Sequence, residues 1–134
     1  YRFGFVAGDP AVVRRLLEVR KHAGMMVPLP VQAAAVAAWS DDAHVREQRA
    51  RYARRREVLK AALRGAGFRI DHSDAGLYLW VTRDEPCWET VNDLADRGIL
   101  VAPGDFYGPA GDRHVRVALT ASDEAVELAA RRLA

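Results

Sequence analysis

Apolar residues along this chain recur in two rhythms. In some stretches they alternate with polar ones, as in a strand with one buried face. In others they return every three or four residues, as in a helix with one buried face. Residues 1–7, YRFGFVA, alternate and predict a strand. Gly8-Asp9-Pro10 then signals a turn and a helix start, with Asp9 as cap and Pro10 in the first helical position. That helix runs to about Lys21 and breaks at Ala23-Gly24. Pro28 and Pro30 punctuate the next segment, and Val31 to Trp39 is Ala-rich and helical. Ser40-Asp41-Asp42 is a second cap signal. It opens a long helix over 43–64, with Val45, Tyr52, Val58, Leu59, Ala62 and Leu63 as expected buried positions. Gly65 and Gly67 end it.

The second half mixes both rhythms. Phe68-Arg69-Ile70 predicts a short strand, and Leu77-Tyr78-Leu79-Trp80-Val81 a clear one. Pro86 starts a helix to about Arg97, stopped by Gly98, and Ile99 to Ala102 reads as a strand. A loop rich in Gly and Pro follows, at 104–111. Then comes the run His114-Val115-Arg116-Val117-Ala118-Leu119. There Val115, Val117 and Leu119 share one face, and His114, Arg116 and Ala118 the other. Ser122 caps a closing helix over 123–133. This order predicts an α+β domain, a small mixed or antiparallel sheet with helices packed on it.

Composition narrows the picture. The chain has 134 residues, the size of one ordinary domain, and half are hydrophobic. The formal net charge of +2 weakens a nucleic-acid reading built on bulk charge. No apolar run reaches membrane-spanning length. The single cysteine, Cys87, rules out an internal disulfide and fits a reducing compartment. It lies at a helix start, where a thiol pKa can fall, although packing is the plainer role. Tyr1 opens the chain in a strand-like stretch, so the expectation is a piece of a longer protein.

Candidate chemistry is sparse. The arginine run Arg46, Arg49, Arg51, Arg54, Arg55, Arg56, Lys60 and Arg64 reads as a solvated helix face, partly paired by Glu47 and Glu57. No recognition motif or interleaved aromatic accompanies it, as a nucleic-acid surface would require. The four histidines lack metal-ligand spacing. Asp71-His72-Ser73-Asp74 has catalytic residue types but sits where a turn is expected. The loop at 104–111 lacks a phosphate-loop pattern and suits the wall of a cleft. Arg116 stands between two readings. It is either a solvated residue on an antiparallel strand or a fork for a carboxylate.

Five segments, taken in order, resemble the C-terminal part of class I/II aminotransferases, pyridoxal-phosphate enzymes of fold type I. They are YRFGFVAGD, PLPVQAAAVAA, the long helix, AGFRIDHSDAGLYLWV and RGILVAPGDFYGPAGDRHVRVALT. KHAGMMVP and the last segment are most similar to actinobacterial succinyldiaminopimelate aminotransferases of lysine biosynthesis. The resemblance implies that residues 1–40 end a large α/β cofactor domain and that 41–134 form the small C-terminal domain. It implies pyridoxal 5'-phosphate as cofactor, with Arg2 on its phosphate, Arg116 on the substrate α-carboxylate and Tyr78 lining the substrate cleft. The lysine that binds the cofactor covalently would precede Tyr1. Lys21 and Lys60, the only lysines present, do not match it. No catalytic residue is therefore expected in this chain.

The implied reaction passes an amino group between amino and keto acids, with N-succinyl-L,L-diaminopimelate and 2-oxoglutarate as the expected pair. The expected setting is a cytoplasmic homodimer with no metal, nucleic acid or membrane partner. Three alternatives accompany it: another fold type I aminotransferase, a C–S lyase, and the aminotransferase-like effector domain of a transcriptional regulator.

Overall fold

A computed structural model describes residues 2–134. The first helix, α1, spans Pro10–His22, and Asp9 caps it: its carboxylate accepts from the N–H groups of Ala11 and Val12 at 2.8 and 3.1 Å. The second, α2, spans Leu29–Trp39 and the third, α3, Ala43–Gly65. The chain divides into two compact units inside α3: one ends at Arg46, the other is Glu47–Ala134.

In the first unit, residues 2–7 form no strand, contrary to the alternation of YRFGFVA; Tyr1 lies outside the described residues. A strand exists only with a partner for its N–H and C=O groups, and no described segment pairs with this one. Its aromatic side chains pack elsewhere. The rings of Phe3 and Phe5 meet Trp39 edge-on, at 5.0 and 4.8 Å between centroids.

The second unit holds the sheet. Its strands are β1 (Arg69–Asp71), β2 (Tyr78–Thr82), β3 (Ala102–Pro103) and β4 (Val115–Ala118), with α4 (Cys87–Asp96) and α5 (Asp123–Leu133) between and after them. The order across the sheet is β1-β2-β4-β3, and every pairing is antiparallel. This is the α+β architecture that the hydrophobic rhythms predict. Leu79, Val81, Val115, Val117 and Leu119 line one face and are almost completely buried. Leu59 and Leu63 of α3, Leu94 of α4, and Val126 and Leu133 of α5 close the core over them. Helix packing therefore occupies one sheet face and leaves the other for side chains of a different kind.

The strand expected over Ile99–Ala102 is reduced to the pair Ala102–Pro103. The end of α4 claims the preceding backbone: Gly98 (φ 71) donates to Ala95 O at 2.7 Å and Ile99 to Leu94 O at 2.8 Å. This left-handed glycine cap satisfies the helix carbonyls and turns the chain away.

The arginine run also departs from expectation. Arg51 does pair with Glu47 at 2.7 Å on the surface. Arg55 and Arg56, however, are buried, whereas Val45 and Val58 are exposed. The helical period explains this. Tyr52, Arg55, Arg56, Leu59 and Leu63 share one stripe, and Val58 lies about 100° round the helix from Leu59. Arg55 reaches Asp123 and the carbonyl of Leu119, at 3.1 Å for the latter, and so ties α3 to the start of α5.

Candidate functional site

The sheet face turned away from the core gathers the polar and aromatic chemistry. Register sets it: Trp80 lies opposite Arg116 on β4 and opposite Asp71 on β1, and Tyr78 lies opposite Ala118. Residues 104–111 fold into two tight 3₁₀ turns that bring Tyr107 to the same face. The turns can close because a Cβ on Gly104 would sit 2.2 Å from the Gly111 carbonyl oxygen, and one on Gly111 would sit 2.2 Å from that of Gly104. Both positions need glycine for that approach.

Arg116 lies between two tyrosine rings. Its guanidinium carbon is 4.1 Å from the Tyr78 ring centroid and 5.1 Å from that of Tyr107. Among the described residues none accepts a hydrogen bond from it, and its Nε is buried without a partner. Cation–π contact thus holds the plane of the fork and leaves its N–H groups free. A buried donor without an acceptor is costly, and an anion in front of it removes that cost. The space in front is a pocket of about 450 Å³ lined by Ser73, Gly76, Tyr78, Trp80, Tyr107 and Arg116. Tyr78 and Arg116, named from sequence, meet here, and the glycine-rich loop does form part of the wall.

Trp80 lines the pocket beside Arg116. Its ring stacks on His114 at 5.1 Å with an interplanar angle of 7°, and meets Tyr107 edge-on at 5.8 Å. His114 in turn bonds Asp71 at 3.0 Å through Nε2. The hydrogen bond from Arg69, then that from His114, holds the Asp71 carboxyl below its ordinary range. A depressed carboxyl stabilises the fold above its unfolded pKa, about 3.9, and that contribution fades as pH falls through the lower folded value. Acid titration followed by circular dichroism should show Asp71→Asn losing less stability than the parent below about pH 4. Parallel curves for the two proteins would refute the assignment.

Trp80 and Tyr107 were not singled out from sequence. The period-two relation of Trp80 to Tyr78 was the available signal for the first; for Tyr107, only the loop closure reveals it. Asp71-His72-Ser73-Asp74 forms no triad. The Ser73 hydroxyl donates to Asp71 O at 2.7 Å and accepts the Trp80 N–H at 2.9 Å, so it is a loop fastener. Cys87 is buried in the core cluster. Arg2 belongs to the first unit, where its side chain is exposed and no described residue pairs with it.

The family is shown by comparison: the model for aminotransferase class I and II matches residues 1–133, and the chain belongs to that family. The family is pyridoxal-phosphate dependent. The probable aminotransferase Rv1178 of Mycobacterium tuberculosis is 68% identical over 99% of this chain and 32% of its own length. The 4-dedimethylamino-4-oxo-anhydrotetracycline transaminase OxyQ of Streptomyces rimosus is 65% identical over 99% of this chain and 37% of its own. An aromatic aminotransferase structure from Pyrococcus horikoshii superposes with a TM-score of 0.84 at 24% identity, covering 96% of this chain and 36% of that one. The fold is therefore that of the fold type I aminotransferases. The chain spans about a third of the length of these relatives. Among the described residues, no helix is long and apolar enough to cross a membrane.

Proposed function

We propose that the protein containing this chain is an aminotransferase and that Arg116 grips the α-carboxylate shared by its amino-acid and keto-acid substrates. One observation carries the reading: a guanidinium fork with free donors, fixed between Tyr78 and Tyr107 at the mouth of a pocket. Two parallel N–H···O bonds would fix both carboxylate oxygens and so orient the Cα–H bond for proton removal. Tyr78 fixes the orientation of the fork and lines the cleft, and the indole of Trp80 shields the salt bridge from water. Bound pyridoxal phosphate supplies the electron sink for the exchange, and Arg2 would hold its phosphate. On this reading residues 1–40 close the large domain and 41–134 are the small one.

The finer proposal is transamination of N-succinyl-L,L-diaminopimelate with 2-oxoglutarate by a cytoplasmic homodimer in lysine biosynthesis. It rests on the wording of KHAGMMVP and GDFYGPAGDRHVRVALT. The identity to OxyQ favours a second reading, in which the amino acceptor is the oxo group of a 4-oxo-anhydrotetracycline, as in that relative's name; the aromatic wall of Trp80 and Tyr107 suits a bulky ring-bearing acceptor. In the full-length protein, glutamate formation from N-succinyl-L,L-diaminopimelate and 2-oxoglutarate supports the first reading, and glutamate consumption with the oxo acceptor supports the second. Turnover with neither would overturn both.

The lysines supply a further prediction. Lys21 is tied to Glu18 at 3.7 Å on the surface of α1, and Lys60 sits within α3. The 134-residue chain, mixed with pyridoxal phosphate and reduced with borohydride, is expected to take up no stoichiometric cofactor on either lysine and to show no turnover. A single fully labelled lysine accompanied by turnover would refute this.

A further inference from the structure

Arg56 is buried in the second unit and, among the described residues, has no carboxylate partner. Its two terminal nitrogens instead donate to two carbonyls of one loop, Nη1 to Ser73 at 2.8 Å and Nη2 to Gly76 at 2.5 Å. That loop joins β1 to β2 and lines the pocket in front of Arg116 through Ser73, Gly76 and Leu77. It is also a conformation that needs fixing. His72 and Gly76 both adopt positive φ, 46° and 79°, and a non-glycine residue at positive φ is held there only by its surroundings. The guanidinium plane sets the spacing of the two carbonyls. Ser73, so fixed, holds the Trp80 N–H through its hydroxyl at 2.9 Å. A chain of contacts therefore runs from the middle of α3, through the loop, to the residue directly opposite Arg116.

We infer that Arg56 is a positioning residue for the carboxylate pocket, locking the 72–77 loop so that the wall facing Arg116 has one shape. This rests on the reading of Arg116 as the carboxylate fork. Burying a guanidinium is costly unless its N–H groups find acceptors, so cation and loop carbonyls hold one another in place. A plain structural cation would serve as well against any carboxylate. Here both acceptors lie in the wall of one pocket.

The test uses the full-length holoenzyme with Arg56→Met, Arg56→Lys and Arg116→Ala, all compared at equal cofactor content. Arg56→Lys keeps the charge and the stem but not the fork, and it carries the test should the methionine variant fail to fold. The first readout is the Kd of succinate, an unreactive carboxylate probe. The second is the split between KM and kcat. Loss of the fork is expected to weaken succinate and raise KM for α-amino acids about tenfold in Arg56→Met and less in Arg56→Lys, with kcat at saturation little changed. Succinate affinity equal to the parent in both Arg56 variants, with Arg116→Ala impaired, would overturn the role of Arg56 and leave the pocket reading standing. A fall in kcat without a change in KM would also overturn it. Unchanged affinity in Arg116→Ala would overturn the underlying reading, and the role of Arg56 with it.

Discussion

Replacing Arg116 with alanine in the full-length protein is expected to lower kcat/KM for α-amino acids by roughly 30- to 900-fold, the equivalent of about 2–4 kcal/mol of a charge-assisted, partly desolvated pair. Arg116 makes no hydrogen bond to any described residue, and its plane is held by Tyr78 and Tyr107. Its removal therefore breaks no internal hydrogen bond and only the two cation–π contacts, so the melting temperature should fall by no more than a few degrees. The loss should appear wherever the substrate carries an α-carboxylate. An amine donor without that group should be used equally poorly by parent and variant. Arg116→Lys keeps the charge but offers a point donor in place of a fork, so it should recover only part of the loss. Activity of Arg116→Ala on α-amino acids equal to that of the parent would sink the assignment. So would a large drop in melting temperature, because it would make the arginine a structural residue.

The second large effect lies directly beneath the site. Leu79→Ala is expected to cost about 2–5 kcal/mol of stability, the range for deleting a buried leucine side chain in a tightly packed core. Leu79 is completely buried and pairs across the sheet with Val117, between the two strands that carry the pocket. Its neighbours in sequence, Tyr78 and Trp80, point to the opposite face, so the cavity opens behind the platform and not in it. Urea unfolding should show an earlier midpoint with little change in slope. Substrate affinity of the folded fraction should fall less than stability does. A stability loss of less than about 1 kcal/mol would show that the core refills the space.

The Arg116 stretch illustrates how far pattern alone reaches. Alternation placed Val115, Val117 and Leu119 inward and Arg116 outward, and the burial of those residues follows it. A helix cap was readable at Asp9, and another at Ser122, whose hydroxyl accepts the Ala125 N–H at 3.3 Å. These features are local: a strand's two faces and a helix's first turn are decided by residues within a few positions of one another. Alternation could not say whether the outward face was solvent or a pocket. That depends on Tyr107, which is close to Arg116 only because Gly104 and Gly111 let their loop fold on itself.

The errors have the same origin. YRFGFVA alternates like a strand, but a strand also needs a partner, and pairing is a property of distant segments. Arg55 and Arg56 carry the charge of surface residues. Their burial depends on acceptors that α3 does not contain: Asp123 and Leu119 O for one, Ser73 O and Gly76 O for the other. Taken alone, then, the sequence determined the helices and the central strands, their order, the inward face of those strands and the residue types able to grip a carboxylate. Only the tertiary structure decided which cations are buried and which fork stays free. A guanidinium is quenched or left available according to the acceptors within about 3 Å, and in this chain those acceptors come from segments far apart in sequence.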